Sequence, residues 1–597
     1  MTLRSFLAVS SAIVALAAVA PAQAQAPARQ STSFTLSTGS PRAPEQLAMQ
    51  FDLADLAIKV MPATKTIDAV ATLHFTATAP LTRLVVELDT VFDVSTVTVD
   101  GQDLTPDQWS NPEGRMTVDL PAPLAAGQTV ALRVAYSGAP RVAPMAPWDG
   151  GFVWSQSPDG RPWIATAIQG EGCDLFWPCI DYSLAEPGRV DLHITVPSDL
   201  SAPSNGRFLG KTDHGDGWTT WNWTAAHPNT YAIALNIGAY DVLTADYHSR
   251  YGNTFPITYW YLKSDDPAKA QALFDEFAPM LDFFEATIGP YPFGDEKMGV
   301  VETPHLGMEH QTINAYGNGY KLDGRGFDWL LQHEFSHEWF GNQLTNANAD
   351  DMWLHEGLGS YMQPLYDRWL HGDRYMQYNL AEQRKGVANR FPIVSGTPKE
   401  EDEVYKDEVG PGLDIYNKGS LISHSLRMLI GDRAFFSALR RLVYDRPDPQ
   451  PGNFQPHYAS TEDFLRIVNS ETHSDLTWFF RAYLYQAALP ELRETRVPGE
   501  RGSERLSLEW VTGDGGAFPM PLEIEIDGRP QTLAMRGNRG TVEVPAGAHV
   551  LIDPENKVLR RMEFIDSWRA YDAVSRVPRH GGATGRNAEA EDAAKTN

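Results

Sequence analysis

From residue 44 to about 240, apolar side chains recur at every second position in runs such as 69–77 and 84–88, a period that predicts half-buried β-strands. Asp100-Gly101 follows Val97-Thr98-Val99 and reads as a type I′ hairpin turn, and residues 218–223 alternate aromatic with polar side chains. The period then changes. Asp266-Pro267 is a helix start signal, and Leu273, Phe277, Leu281 and Phe284 fall on one helical stripe that runs through Pro279. Further helices are predicted over 327–339, 352–369, 420–429 and from Ser460, where Asp463 completes a capping-box-like start. Alternation returns after Pro490: Leu522, Ile524 and Ile526 lead into an Asp527-Gly528 turn, and Val542 and Val544 mark the next strand.

These changes of period predict a multidomain α+β chain. An N-terminal all-β domain is expected at 44–245, a mainly helical domain at 246–489 and a small C-terminal β-sandwich at 490–566. Residues 25–43 read as a polar linker, and 567–597, almost without apolar positions, as a largely disordered tail. A length of 597 residues agrees with about three or four domains.

Residues 1–24 change the expected setting. Arg4, the apolar run from Phe6 to Ala20 and Ala22-Gln23-Ala24 read as a secretory signal peptide, predicting a periplasmic or secreted protein. That run is too short to span a bilayer, and no later stretch approaches the required length, so no membrane span is expected in the mature chain. A formal net charge of −27 argues against nucleic acid as a partner. The two cysteines, Cys173 and Cys179, are compatible with a disulfide in an oxidising compartment or with two buried thiols.

Candidate chemistry begins at His333-Glu334-Phe335-Ser336-His337, because helical spacing puts both imidazoles on one face within reach of a single ion. Two histidines on an ordinary helix would read the same in isolation. Glu356, in Trp353-Leu354-His355-Glu356-Gly357, follows on a second apolar-rich helix and supplies a third ligand. Two His and one Glu leave one coordination position open, the pattern of a catalytic rather than a structural zinc. One zinc ion is therefore expected, held by His333, His337 and Glu356, with Glu334 as general base towards the activated water.

With these motifs the chain resembles the aminopeptidase N (membrane alanyl aminopeptidase) family of gluzincin zinc metallopeptidases from about Gln169 to Leu492. Gly289-Pro290-Tyr291-Pro292-Phe293, Leu306-Gly307-Met308-Glu309-His310, Trp339-Phe340-Gly341-Asn342 and Tyr416-Asn417-Lys418-Gly419 recur in the family's order. The resemblance implies a thermolysin-like catalytic domain acting on peptides with a free N-terminus. It implies that Glu309 binds the substrate's α-ammonium, with Gly307 and Met308 beside it and Gln169 assisting from the β domain. Glu171 is a weaker alternative to Gln169. It also implies that the Tyr416 hydroxyl stabilises the tetrahedral intermediate. The chain departs from the family at Leu306, Gly307, His310 and His355, which puts the shape of the first substrate pocket in doubt. Two other readings remain beside a zinc aminopeptidase: a combined epoxide hydrolase and aminopeptidase, and a non-catalytic peptide-binding scaffold.

Overall fold

The computed structural model describes residues 29–567 apart from 323, 453 and 501; the expected signal peptide at 1–24 and the tail beyond 567 lie outside the described residues. Strand Met49–Met61 sits within an eight-stranded sheet, antiparallel to Thr66–Ala77 and parallel to Arg189–Pro197. Alternating burial along these strands puts one face onto a core that includes Tyr136, Trp177 and Trp223. Asp100 and Gly101, with φ of 50° and 79°, form the expected turn between Asp93–Val99 and Gln102–Asp103. Cys173 and Cys179 are joined by a disulfide.

Three expectations are corrected. Residues 29–43 do not form a free linker: Ser31 donates to Asp89 (2.5 Å), and Ser37 and Ser40 donate to the two carboxylate oxygens of Glu400 (2.7 and 2.6 Å). The segment thus straps the β domain to the helical region. The expected boundary at 245 falls inside strand Tyr240–His248, which pairs along its length with Thr254–Leu262. Both belong to a second, mixed sheet with Met298–Glu302, Asn314–Tyr316 and the edge strand Gly307–Met308. Alternation cannot mark this change of sheet, because strands lie on both sides of it. Finally, the helical stripe over 273–284 is broken into Pro267–Phe274 and Phe277–Thr287. Pro279 stands in the first turn of the second helix, where N–H groups have no intrahelical acceptor, so its missing donor is harmless.

Helices dominate from Trp329 to Tyr483, with Trp353–His371 and Asp414–Ile430 packed side by side at the centre. The terminal strands form two small three-stranded sheets, Glu491–Pro498 with Ser503–Val511 and Arg539–Pro545, and Arg529–Leu533 with Leu522–Ile526 and Val550–Ile552. Their buried faces are continuous with the helical core. Leu506, Trp510 and Phe518 belong to the same apolar cluster as the helices, Tyr483 donates to the Leu559 carbonyl (2.5 Å), and the Leu559 N–H donates to Ser425 (2.8 Å). Among the described residues no helix is long and apolar enough to cross a membrane.

Candidate metal and substrate site

The first expected ligand sits on helix Trp329–Ser336 and the second directly follows it; the helix is shorter than the 327–339 predicted from the apolar pattern. Asp328 starts it, accepting from the Leu331 N–H (3.0 Å) while Tyr316 donates to its other oxygen (2.6 Å). At the far end, the N–H groups of Trp339 and Phe340 both return to the Ser336 carbonyl, closing the last turn. His337 is the C-cap residue but keeps helical dihedrals (φ −73°, ψ −16°), so it still lies one turn beyond His333.

The two imidazole Nε2 atoms converge at 3.1 Å, and Glu356 Oε2 lies 3.7 Å from His333 Nε2 and 3.5 Å from His337 Nε2. Ligands about 2.0–2.1 Å from a tetrahedral zinc are separated by about 3.3 Å, so the spacing fits one such ion. The ring of His337 is fixed by its Nδ1–H, which donates to the Phe340 carbonyl (2.9 Å) and leaves Nε2 with its lone pair inward. Glu356 Oε2 is buried without a hydrogen-bond partner, while Oε1 accepts from Tyr416 (2.8 Å) and Tyr405 (3.0 Å). One oxygen is thus oriented by two phenols and the other aimed at the imidazoles.

The electrostatics fit a cation equally well. Burial, then Glu309 and Glu356, push the Glu334 carboxyl well above its ordinary range, and burial followed by His337 holds His333 well below the usual imidazole value. Among the described residues no Lys or Arg pairs with Glu309, Glu334 or Glu356. Neutral imidazoles and crowded carboxylates are what a divalent ion requires of its shell.

Glu334 and Glu309 sit against this centre: their carboxylate oxygens and a ring nitrogen of His337 all lie within 4.8 Å of one another. Glu309 Oε1 accepts from Tyr231 (2.6 Å), a residue that no local pattern singled out because it reaches the site from a loop of the β domain. Gly307 and Met308 form the edge strand bearing Glu309, and a Cβ on Gly307 would meet Glu334 Oε1 at 2.3 Å, so the bare backbone lets that carboxylate approach. Gln169 lines the same cleft as Tyr231 and His355. Glu171 Oε1 accepts from the Gly150 N–H (2.8 Å) and pairs with Arg141 (3.3 Å), while its Oε2 is buried without a hydrogen-bond partner.

Tyr416 is where expected, but its hydroxyl is bound to Glu356 rather than standing open, and Tyr405 at the same oxygen was not foreseen. The departures also find places. His355 packs edge-on against the His337 ring with centroids 4.6 Å apart, its Nε2 3.6 Å from Glu309 Oε1. Gly341 makes the room, since a Cβ there would lie 2.1 Å from that nitrogen. His310 is fully buried with neither ring nitrogen hydrogen-bonded, and burial followed by His305 lowers its pKa to about 3.

Comparison with known proteins supplies the remaining context. Residues 279–483 match the Peptidase family M1 domain. Aminopeptidase B of Mus musculus is 27% identical over 382 residues, covering 59% of this chain and 54% of the mouse protein. Aminopeptidase B of Rattus norvegicus is 25% identical over 431 residues, 69% of this chain and 58% of the rat protein. The chain therefore spans a little over half the length of these relatives. Among solved structures, a two-domain M1 zinc metallopeptidase variant bound to L-tryptophan superposes with a TM-score of 0.63 at 25% identity, covering 77% of this chain and 99% of that one. An M1 zinc metallopeptidase variant from Deinococcus radiodurans bound to a Tyr-Ser-Ala substrate gives 0.62 at 25% identity, covering 77% of this chain and 98% of that one.

Proposed function

We propose, from the premise that the chain is an aminopeptidase N-like member of the M1 gluzincin peptidases, that it removes amino acids one at a time from peptides with a free N-terminus. The observation that carries this reading is the position of Glu309, a buried carboxylate held within 4.8 Å of both the base candidate and a metal-ligand candidate. An ammonium bound to it puts the first peptide bond, and no later one, at the ion.

His333, His337 and Glu356 would hold the zinc. Zinc there supplies Lewis acidity, polarising a carbonyl and making water nucleophilic near neutral pH. Glu334 takes the proton of the attacking water and returns it to the leaving amine, a shuttle favoured by a carboxyl whose pKa burial has raised. Glu309, fixed by Tyr231, receives the ammonium, with Gln169 at the same cleft. Tyr416 supplies a hydroxyl to the developing oxyanion by turning from Glu356, whose oxygen keeps Tyr405 as donor. Gly307 and Met308, at the open edge of their sheet, offer backbone groups to an extended substrate.

We also infer export to an oxidising compartment, a reading supported by the Cys173–Cys179 bond and the signal-like start. Peptide amides with free and acetylated N-termini, assayed with and without a chelator, test the whole proposal. Turnover should require the free amine and vanish with the metal; equal hydrolysis of acetylated peptides, or full activity in chelator, would overturn it.

A further inference from the structure

The strap formed by residues 29–43 passes close to the metal site, since Thr38 and Gly39 line the same cleft as His355. It is fixed to the β domain at one end, where the Ser31 hydroxyl donates to Asp89 (2.5 Å) and the Thr32 hydroxyl to the Glu113 carbonyl (2.6 Å). Farther on it grips Glu400: Ser37 and Ser40 take one carboxylate oxygen each (2.7 and 2.6 Å), and the Glu401 N–H donates to the Thr38 carbonyl (3.4 Å). Gly39, with φ of 87°, supplies the left-handed turn between the two serines that lets both hydroxyls reach one side chain.

Glu400 opens the turn that carries Tyr405. Its carbonyl accepts from the Glu403 N–H (3.1 Å), the Glu401 carbonyl accepts from the Tyr405 N–H (3.0 Å), and the helix Asp402–Tyr405 that follows is four residues long, without a side-chain cap from Glu401. So short a helix has no stability of its own, because a first turn fixes several residues for very few hydrogen bonds. Its placement depends on what holds its ends, and the first of these is the strap. From that turn the Tyr405 hydroxyl reaches Glu356 Oε1 (3.0 Å), while the other oxygen of Glu356 faces His333 and His337. A route of direct contacts thus runs from Ser37 and Ser40 through Glu400 and Tyr405 to a candidate metal ligand.

We infer that Ser37, Ser40 and Glu400 are positioning residues for the metal site: the strap holds the turn that sets the Tyr405 hydroxyl on Glu356, so the affinity for zinc depends on the N-terminal segment being in place. The inference rests on the reading of His333, His337 and Glu356 as zinc ligands and adds to it a support that begins at the far end of the chain.

The test is zinc affinity, measured by competition with a chelator of known affinity, with a thermal melt of each variant at saturating zinc. The double variant Ser37→Ala/Ser40→Ala and the single variant Glu400→Ala should each raise the zinc dissociation constant by about 3–10-fold, at the low end of what removing a support from behind a metal ligand costs, because Tyr416 stays on the same Glu356 oxygen. Glu400→Gln should keep the affinity within about twofold of wild type, since an amide can accept from one hydroxyl and donate to the other. In a Tyr405→Phe background the serine changes should add less than about twofold, because the contact they support is already gone. Wild-type affinity in both Ser37→Ala/Ser40→Ala and Glu400→Ala would overturn the inference, as would an equal loss with and without the Tyr405 hydroxyl, the mark of a merely structural role. Should the double variant not fold, Ser37→Ala and Ser40→Ala taken singly carry the same two comparisons. A wild-type protein that binds no zinc would instead refute the metal-site reading itself.

Discussion

Replacing Tyr416 by Phe separates two roles that its hydroxyl could play. In the resting site it donates to Glu356 Oε1 at 2.8 Å, and Tyr405 donates to the same oxygen at 3.0 Å. Burial and then the Glu356 charge hold the Tyr416 phenol well above its ordinary pKa, so it remains a proton donor at any working pH. If its main role were to orient the ligand, its loss would weaken zinc binding by about 10–100-fold, the usual cost of a support removed from behind a metal ligand. Tyr405 would soften even that, because one donor remains. If it serves the oxyanion, kcat should fall by about 100–1000-fold, corresponding to about 2.7–4 kcal/mol, with zinc occupancy nearly unchanged. We expect the second pattern for Tyr416→Phe and a smaller kcat loss with weaker zinc binding for Tyr405→Phe. Steady-state kinetics in a zinc buffer, paired with elemental analysis, distinguish them. A Tyr416→Phe enzyme whose kcat returns to within about threefold of wild type on adding zinc would refute the oxyanion role.

Four other outcomes follow from the same geometry. Under the proposed role of Glu334 as a base rather than a ligand, Glu334→Gln should lower kcat by about 100–10,000-fold while retaining zinc, measured by kinetics and metal analysis. Glu309→Gln should cut kcat/KM on free-amine substrates by about 10–150-fold, the equivalent of one charge-assisted contact of about 1.5–3 kcal/mol. Glu356→Ala should lose both bound zinc and activity, and chelation of the wild-type protein should lower its Tm to near that of the variant. Glu186, whose carboxyl is raised to about 8 by burial against hydrogen bonds from Thr345 and Tyr458, binds its proton more tightly folded than unfolded. Its contribution is therefore complete below about pH 4.5 and lost as pH rises through about 8, so Glu186→Gln should flatten the decline of Tm between about pH 5 and 9; an unchanged slope would contradict this.

The period of the apolar residues made the β–helix–β order legible, and the His-x-x-x-His spacing pointed to the candidate metal site because a helix converts that spacing into a shared face. Glu356 comes to the same place from one further helix, Trp353–His371. What escaped were contacts between elements far apart in the chain. Tyr231 meets Glu309 across 78 positions and Tyr405 meets Glu356 across 49, and neither lies in a pattern that composition marks. His355 was visible as a departure, but its contact with Glu309 depends on the space left by Gly341. The sheet change before Tyr240 and the strap formed by residues 29–43 were hidden similarly, since both are settled by pairing partners rather than by local preference.

The single apolar cluster that joins the helices to the terminal strands also governs the order in which this molecule can be made. The β domain draws its buried cluster from Met49 to Ala239, so it can settle while later residues are still emerging. The helical region draws its buried cluster from Tyr247 to Leu559, so its apolar interior is complete only with the terminal strands in place. The candidate metal site, set within that region, is therefore expected to take shape late in synthesis.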